Sequence, residues 1–217
     1  MKSRPCDLSR RSLLATLAGM GLAACGRKRP KARSLPPGAV VLALGDSLTF
    51  GTGAPPEAAY PAELARLTGW EVVNAGVPGN TSAQARERLP DLLETTAAQL
   101  LILSIGGNDF LRRLPEAQTR AHIEAICVLA LARRLQVMLL AVPRPSLTAA
   151  IGSLSDHPMF AEIAAPLLVV LQRNGWSEVL SDSTLRSDAI HANARGYAQQ
   201  ARNVLVAARA AGMLPSA

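Results

Sequence analysis

Aromatic residues are scarce in this chain: two Trp, two Tyr and three Phe among 217 residues. A core of ordinary size must therefore be built from Leu, Val, Ile and Ala, and a hydrophobic content of 49% supplies them. Lysine is missing after Lys31. The formal charge of +7 is accordingly local. Residues 1–24 carry +3, residues 25–36 carry +5, and the remainder carries −1. Nucleic-acid binding needs a basic face on the domain itself, so no nucleic-acid partner is expected. Histidine and cysteine number three each, and no His/Cys/Asp/Glu group has ligand spacing. No metal and no cofactor are expected.

The N-terminus reads LSRRSLLATLAGMGLAACGRKRP. A basic start at Arg10 and Arg11 precedes an apolar run of about a dozen residues, short of the ~20 that a spanning helix needs. That is the architecture of a secretory signal. SRRSLL resembles a twin-arginine export signal, with ordinary Sec export as the alternative. LAAC at 22–25 resembles a bacterial lipoprotein box, which implies cleavage before Cys25 and lipid on its sulfur. An ordinary signal peptide or an uncleaved anchor is the competing reading. The expected organisation is a signal peptide over 1–24, a lipidated Cys25 with a basic flexible tether over 25–36, and one domain over 37–217. The tether could be drawn to an anionic membrane or be merely solvated. Export to the periplasmic face of a bacterial membrane follows from this reading. Gly26, where inner-membrane lipoproteins of this type usually carry aspartate, favours the outer membrane. With Cys6 removed and Cys25 lipidated, Cys127 would have no partner for an intramolecular disulfide. It lies in an apolar helical stretch and reads as a small core residue.

From residue 37, short apolar runs alternate with helical patterns. Strands are expected at 39–44, 71–75, 100–107 and 137–142, with a short fifth at 177–180. Helices are expected at 61–69, 81–99 with a break near Pro90, 115–136, 157–175 with a kink at Pro166, and 193–212. Asn193 is the candidate N-cap of the last helix and Gly212 its stop. The alternation predicts an α/β fold, a three-layer sandwich whose central parallel sheet has about five strands with helices on both faces. Ligands bind such sheets at the carboxyl ends of the strands. Three strands end there in GDSLTFG, GVPGNTS and GGNDF.

A serine becomes a nucleophile only beside a base, which in turn is oriented by a third group. Ser47 ends the first strand. His191 follows Asp188 by three residues in SDAIHANARGY, so one loop could bring carboxylate to imidazole. His122 lies within a helix, and His157 stands at a helix start, where it would cap or be solvated. Oxyanion donors are offered by the Ser47 N–H, the Gly76 N–H and the Asn108 amide. Asp46 precedes the serine on the strand and reads as structural, its side chain turned from the pocket.

Together these segments resemble the SGNH/GDSL hydrolase family over residues 39–197. The resemblance implies a triad of Ser47, Asp188 and His191, and an oxyanion hole of Ser47, Gly76 and Asn108. It implies a serine esterase acting through an acyl-enzyme on carboxylic esters or thioesters, without metal or cofactor, and with a small ester or lipid-like substrate. Where the family commonly has Pro after the histidine, this chain has Ala192. GGNDFLRRLP looks like the thioesterase/lysophospholipase/arylesterase branch. Arg112 and Arg113 there would either meet an anionic headgroup or stay solvated. An O-acetyl esterase on envelope polysaccharide and a non-catalytic acyl- or glycan-binding lipoprotein are the alternatives. A monomer is expected. One test addresses the anchor: Cys25→Ser should release the protein from membranes or leave it unprocessed. Retention on membranes with an unchanged mature mass would refute the lipid reading.

Overall fold

Five parallel strands lie at the centre of the computed structural model, which describes residues 32–143 and 153–214. The strands are β1 (Val40–Gly45), β2 (Glu71–Gly76), β3 (Leu100–Ser104), β4 (Gln136–Leu140) and β5 (Val170–Gln172), in the order β2-β1-β3-β4-β5. The helices are α1 (Ser47–Phe50), α2 (Tyr60–Thr68), α3 (Ser82–Thr95), α4 (Gly107–Leu111), α5 (Glu116–Ala132), α6 (Met159–Leu167), α7 (Gly175–Ser181) and α8 (Ala194–Ala211).

The pleat divides the strand residues between two cores. Leu42, Leu44, Leu101, Leu103 and Leu139 face Leu89 of α3, Ile123 and Ile126 of α5, and Phe160 of α6. Cys127 is buried in that same core. Val41, Leu100, Ile102, Met138 and Leu140 face Tyr60 of α2, Trp176 of α7, and Tyr197 and Val204 of α8. Both faces of the sheet are covered, which is why β1 and β3 are apolar along nearly their whole length. Three of the rare aromatics stack edge-on: Trp176 lies 5.7 Å from Tyr60 and 6.1 Å from Tyr197, centroid to centroid. The layered α/β sandwich is the one expected.

Several elements differ from the sequence reading. The fifth strand is Val170–Gln172, not 177–180. Helix α6 stops before Leu168, whose φ of 56° is left-handed, and this releases the following residues into the sheet. Ser177, Val179 and Leu180 instead belong to α7, which buries them and leaves Glu178 exposed. Pro166 ends α6 within two residues and does not kink a longer helix. Helix α3 runs past Pro90 without a break. Residues 32–36, read as tether, are fastened to the domain. The Ala32 and Leu35 N–H groups donate to Ala211 O and Met213 O, Arg33 exchanges two bonds with Gln136, and Leu35 is buried.

Helix α8 ends at Gly212 and starts at Asn193, as expected. The Asn193 side chain does more than cap. Its Oδ1 accepts the Gly196 N–H at 3.1 Å, and its Nδ2 donates to Thr184 O and Arg186 O, each at 3.0 Å. Asn193→Ala should therefore lower stability by about 1–2 kcal/mol, read from the urea midpoint. Asn193→Ser, which restores only the cap acceptor, should recover about half of that loss.

Candidate active site

The site begins where β1 runs out. Gly45 is followed by Asp46, whose Oδ1 accepts the Leu48 N–H at 3.0 Å and caps α1. Ser47 is the first residue of that single turn. A Cβ on Gly45 would lie 2.0 Å from Thr49 Oγ1 and 2.4 Å from Ser104 O, so only glycine lets the turn fold this tightly against β3. Capping uses the Leu48 N–H and leaves the Ser47 N–H without a partner among the described residues. That N–H lies at the positive end of the turn.

The second part is the loop before α8. An isolated antiparallel bridge, Arg186 to Ala192, closes it, and the Ser187 N–H donates to His191 O at 3.0 Å. Inside the loop, Asp188 Oδ1 accepts the N–H groups of Ile190 and His191, both at 2.8 Å. Asp188 Oδ2 lies 2.8 Å from His191 Nδ1, and His191 Nε2 lies 2.9 Å from Ser47 Oγ. An ionised carboxylate only accepts, so Nδ1 carries the proton and Nε2 accepts the Ser47 hydroxyl. Partial burial pushes the Asp188 carboxyl upward. The His191 side-chain bond and the two backbone N–H groups outweigh this and hold it below the ordinary value.

The third part is α4. Asn108 Nδ2 donates to Asn80 O at 3.0 Å and lies 3.4 Å from Asp46 Oδ2. Asp109 beside it is buried. Its carboxylate accepts the Ser82 N–H at 2.8 Å, the Ser82 hydroxyl at 2.5 Å and the Thr119 hydroxyl at 3.2 Å, tying α4 to the first turns of α3 and α5. Arg88 reaches across from α3 to Asn80 Oδ1 and Gly45 O, at 2.9 and 2.8 Å.

Ser47, His191, Asp188 and Asn108 thus meet at the carboxyl edge of the sheet, with Ser47 and Asn108 bordering an otherwise mostly apolar cavity of about 290 Å³. Leu48, Leu111, Val142, Leu154, Leu180 and Ile190 supply its walls. A larger hollow of about 500 Å³ lies between α3 and α5, beside His122, away from this chemistry. Residues 43–199 match the family described as GDSL-like Lipase/Acylhydrolase. The chain belongs to that family. Esterase TesA of Pseudomonas aeruginosa is 32% identical over 110 residues, which make up 48% of this chain and 55% of that protein. The Escherichia coli protein named thioesterase 1/protease 1/lysophospholipase L1 is 30% identical over 158 residues, 70% of this chain and 75% of that protein. A crystal structure of TesA shares the fold with a TM-score of 0.71 at 24% identity, over 79% of this chain and 99% of that one. The arrangement in this GDSL hydrolase is that of a serine esterase.

One expectation about the site needs correction, the Gly76 N–H as an oxyanion donor. The Gly76 N–H is taken by Asn74 Oδ1 at 3.0 Å, and a Cβ there would lie 2.1 Å from Phe50 N. Gly76 is therefore a close-packing glycine and offers no free donor. The same loop holds Gly79, with a φ of 79°, next to the Asn80 that Asn108 grips. The Gly79 N–H has no partner among the described residues. Asp46 borders the cavity, and its buried carboxylate is engaged by the Leu48 N–H and the Asn108 amide. Of the two readings of His157, the cap holds: its Nδ1 accepts the N–H of Met159, the first residue of α6, at 3.3 Å, while the ring is buried and stacked on Phe110 at 4.5 Å. Arg88, Asn80, Ser82 and Asp109 were not singled out from sequence. The one readable signal near them was the capping box from Thr81 to Gln84.

Burial raises the Asp46 carboxyl to about 6, with the Asp109 charge adding to the rise and the Leu48 N–H and His191 opposing it. A carboxyl raised on folding favours the native state below its unfolded value of 3.8, and that advantage is lost as pH climbs through about 6. Asn lacks the charge and can still cap. The stability of Asp46→Asn relative to wild type should therefore grow between pH 4 and pH 7, by roughly 2–3 kcal/mol. Urea unfolding at both pH values measures it.

Proposed function

We propose that this chain is an exported ester hydrolase that works through an acyl-enzyme on Ser47. The observation that carries the reading is the unbroken chain Asp188–His191–Ser47, with contacts of 2.8 and 2.9 Å, opening onto an apolar cavity. Ser47 Oγ attacks the ester carbonyl carbon while His191 Nε2 takes its proton. Asp188 stabilises the imidazolium and fixes the tautomer. The developing oxyanion is met by the Ser47 N–H, the Gly79 N–H and the Asn108 amide, whose loose 3.4 Å contact with Asp46 Oδ2 gives way to it. Collapse of the tetrahedral intermediate breaks the bond to the leaving group, which departs with the proton from His191. A water, deprotonated by His191, then cleaves the acyl-serine and releases the acid.

The substrates we propose are aryl or short-chain acyl esters, thioesters and lysophospholipids. The names of the Escherichia coli and Pseudomonas aeruginosa relatives fit this range. Apolar walls favour an acyl chain over an acetyl group on polysaccharide, which makes the O-acetyl esterase reading the weaker one. A pure binding protein would not need Ser47, His191 and Asp188 aligned. The proposed location is the periplasmic side of a bacterial membrane, reached through a lipid on Cys25. Attachment in this scheme is through the lipid; among the described residues no helix is long and apolar enough to cross a membrane.

Brief exposure to an organophosphate should add one adduct mass to wild type and none to Ser47→Ala. Ser47→Ala and His191→Ala should each abolish nearly all turnover of p-nitrophenyl esters, and the double variant should lose little more. Asn108→Ala should lower kcat by roughly 10²–10³. An adduct that persists in Ser47→Ala would overturn the proposal.

A further inference from the structure

Among the described residues that line the cavity at Ser47, one carries a positive charge, Arg186. It is half-buried. Its guanidinium makes no hydrogen bond and no ion pair among the described residues. Its neighbours at this edge differ. Arg88 is engaged by Asn80 Oδ1 and Gly45 O, and Arg112 donates to Gly79 O at 2.8 Å. Asp182 is near enough for its charge to interact with Arg186, but it is fully exposed and its Oδ1 is used by the Thr184 N–H at 2.8 Å. A guanidinium partly withdrawn from water without a counter-charge is unfavourable. Its backbone is held in place. The Arg186 backbone forms the bridge to Ala192 and accepts Asn193 Nδ2 at 3.0 Å, on the same loop that carries Asp188 and His191. The backbone from which this side chain springs is therefore placed by the elements that set the loop of Asp188 and His191.

We propose that Arg186 forms an anion subsite of this cavity and takes the phosphate of an acyl ester or thioester whose leaving group bears one. The inference rests on the ester-hydrolase reading. In such a substrate the acyl carboxyl is already consumed in the ester, so the anion sits on the alcohol or thiol side. A planar guanidinium matches two phosphate oxygens at once. The apolar walls then hold the acyl chain while Arg186 holds the phosphate. A phospholipid headgroup and a phosphorylated thiol carrier share this chemistry.

Two measurements decide it. In the Ser47→Ala background, calorimetric titration with octyl phosphate and with octanol isolates the phosphate from the chain. Arg186→Gln should weaken octyl phosphate by about ten- to hundredfold relative to octanol, and Arg186→Lys should keep part of the affinity. An equal effect on both ligands, or none, overturns the subsite. With serine in place, kcat/KM is compared for lysophosphatidylglycerol, octanoyl-coenzyme A and p-nitrophenyl octanoate. Arg186→Gln should lower the ratio of a phosphate-bearing substrate to the neutral ester by a similar factor. A fall confined to the lysolipid assigns a headgroup, and one confined to the thioester assigns a carrier. Unchanged ratios for both overturn the proposal. Phosphate binding without any ester turnover would refute the hydrolase reading and leave the subsite standing.

Discussion

The contact on which the site depends is the 2.9 Å approach of His191 Nε2 to Ser47 Oγ, between residues 144 positions apart. Neither residue could make it from its own loop. Ser47 is held by the end of β1 and by the cap on α1. His191 is held by the start of α8. The two are brought together by the packing of α8 against the sheet and by a brace near the site, where the Tyr197 hydroxyl donates to Thr52 O at 2.7 Å. Tyr197 is fully buried in the core that α2, α7 and α8 share with the sheet. The same aromatic thus closes the core and sets the spacing between nucleophile and base.

The side of the site that holds Asn108 is built differently, from buried polar bonds and not from apolar packing. Asp46 and Asp109 are both buried, and each receives N–H or O–H donors from elements distant in sequence. Removing such carboxylates from water is costly unless donors surround them. Asp109 meets that condition with three donors and fixes α4 against α3 and α5. Asp46 meets it less well, which is why its carboxyl rises to about 6 while that of the exposed Asp188 falls. Two aspartates near Ser47 are thereby driven in opposite directions, Asp46 by burial and Asp188 by the hydrogen bonds it accepts.

The parts of this protein readable from sequence were those written locally. Continuous apolar runs named β1, β3 and β4, because a strand covered on both faces leaves no polar alternation. GDS, GGND and DAIH stood at strand or helix ends and drew attention to Ser47, Asn108, Asp188 and His191. The fifth strand was misplaced because α6 runs without a break in hydrophobicity into Val170–Gln172; only the left-handed turn at Leu168 separates them. Gly76 was chosen as a donor because no side chain obstructs its N–H and because of the family resemblance, but the side chain of Asn74, two residues back, claims that N–H. Bonds such as Arg88 to Gly45 or Ser82 to Asp109 join residues 43 and 27 positions apart, and no local pattern announces them.

The way the chain enters the domain has a directional consequence. Residues 32–36 are bonded to Gln136 at the start of β4 and to the end of α8, so the polypeptide joins the sheet at its amino edge. The serine opens at the carboxyl edge. A six-residue strand such as β1 separates these two edges by about 20 Å. A pull applied at residue 32 therefore acts on the side opposite the edge where Ser47 opens. A protein held in this way would present its site outward from the surface that holds it, and would meet substrates arriving from the facing side more readily than those lying in the surface beneath it.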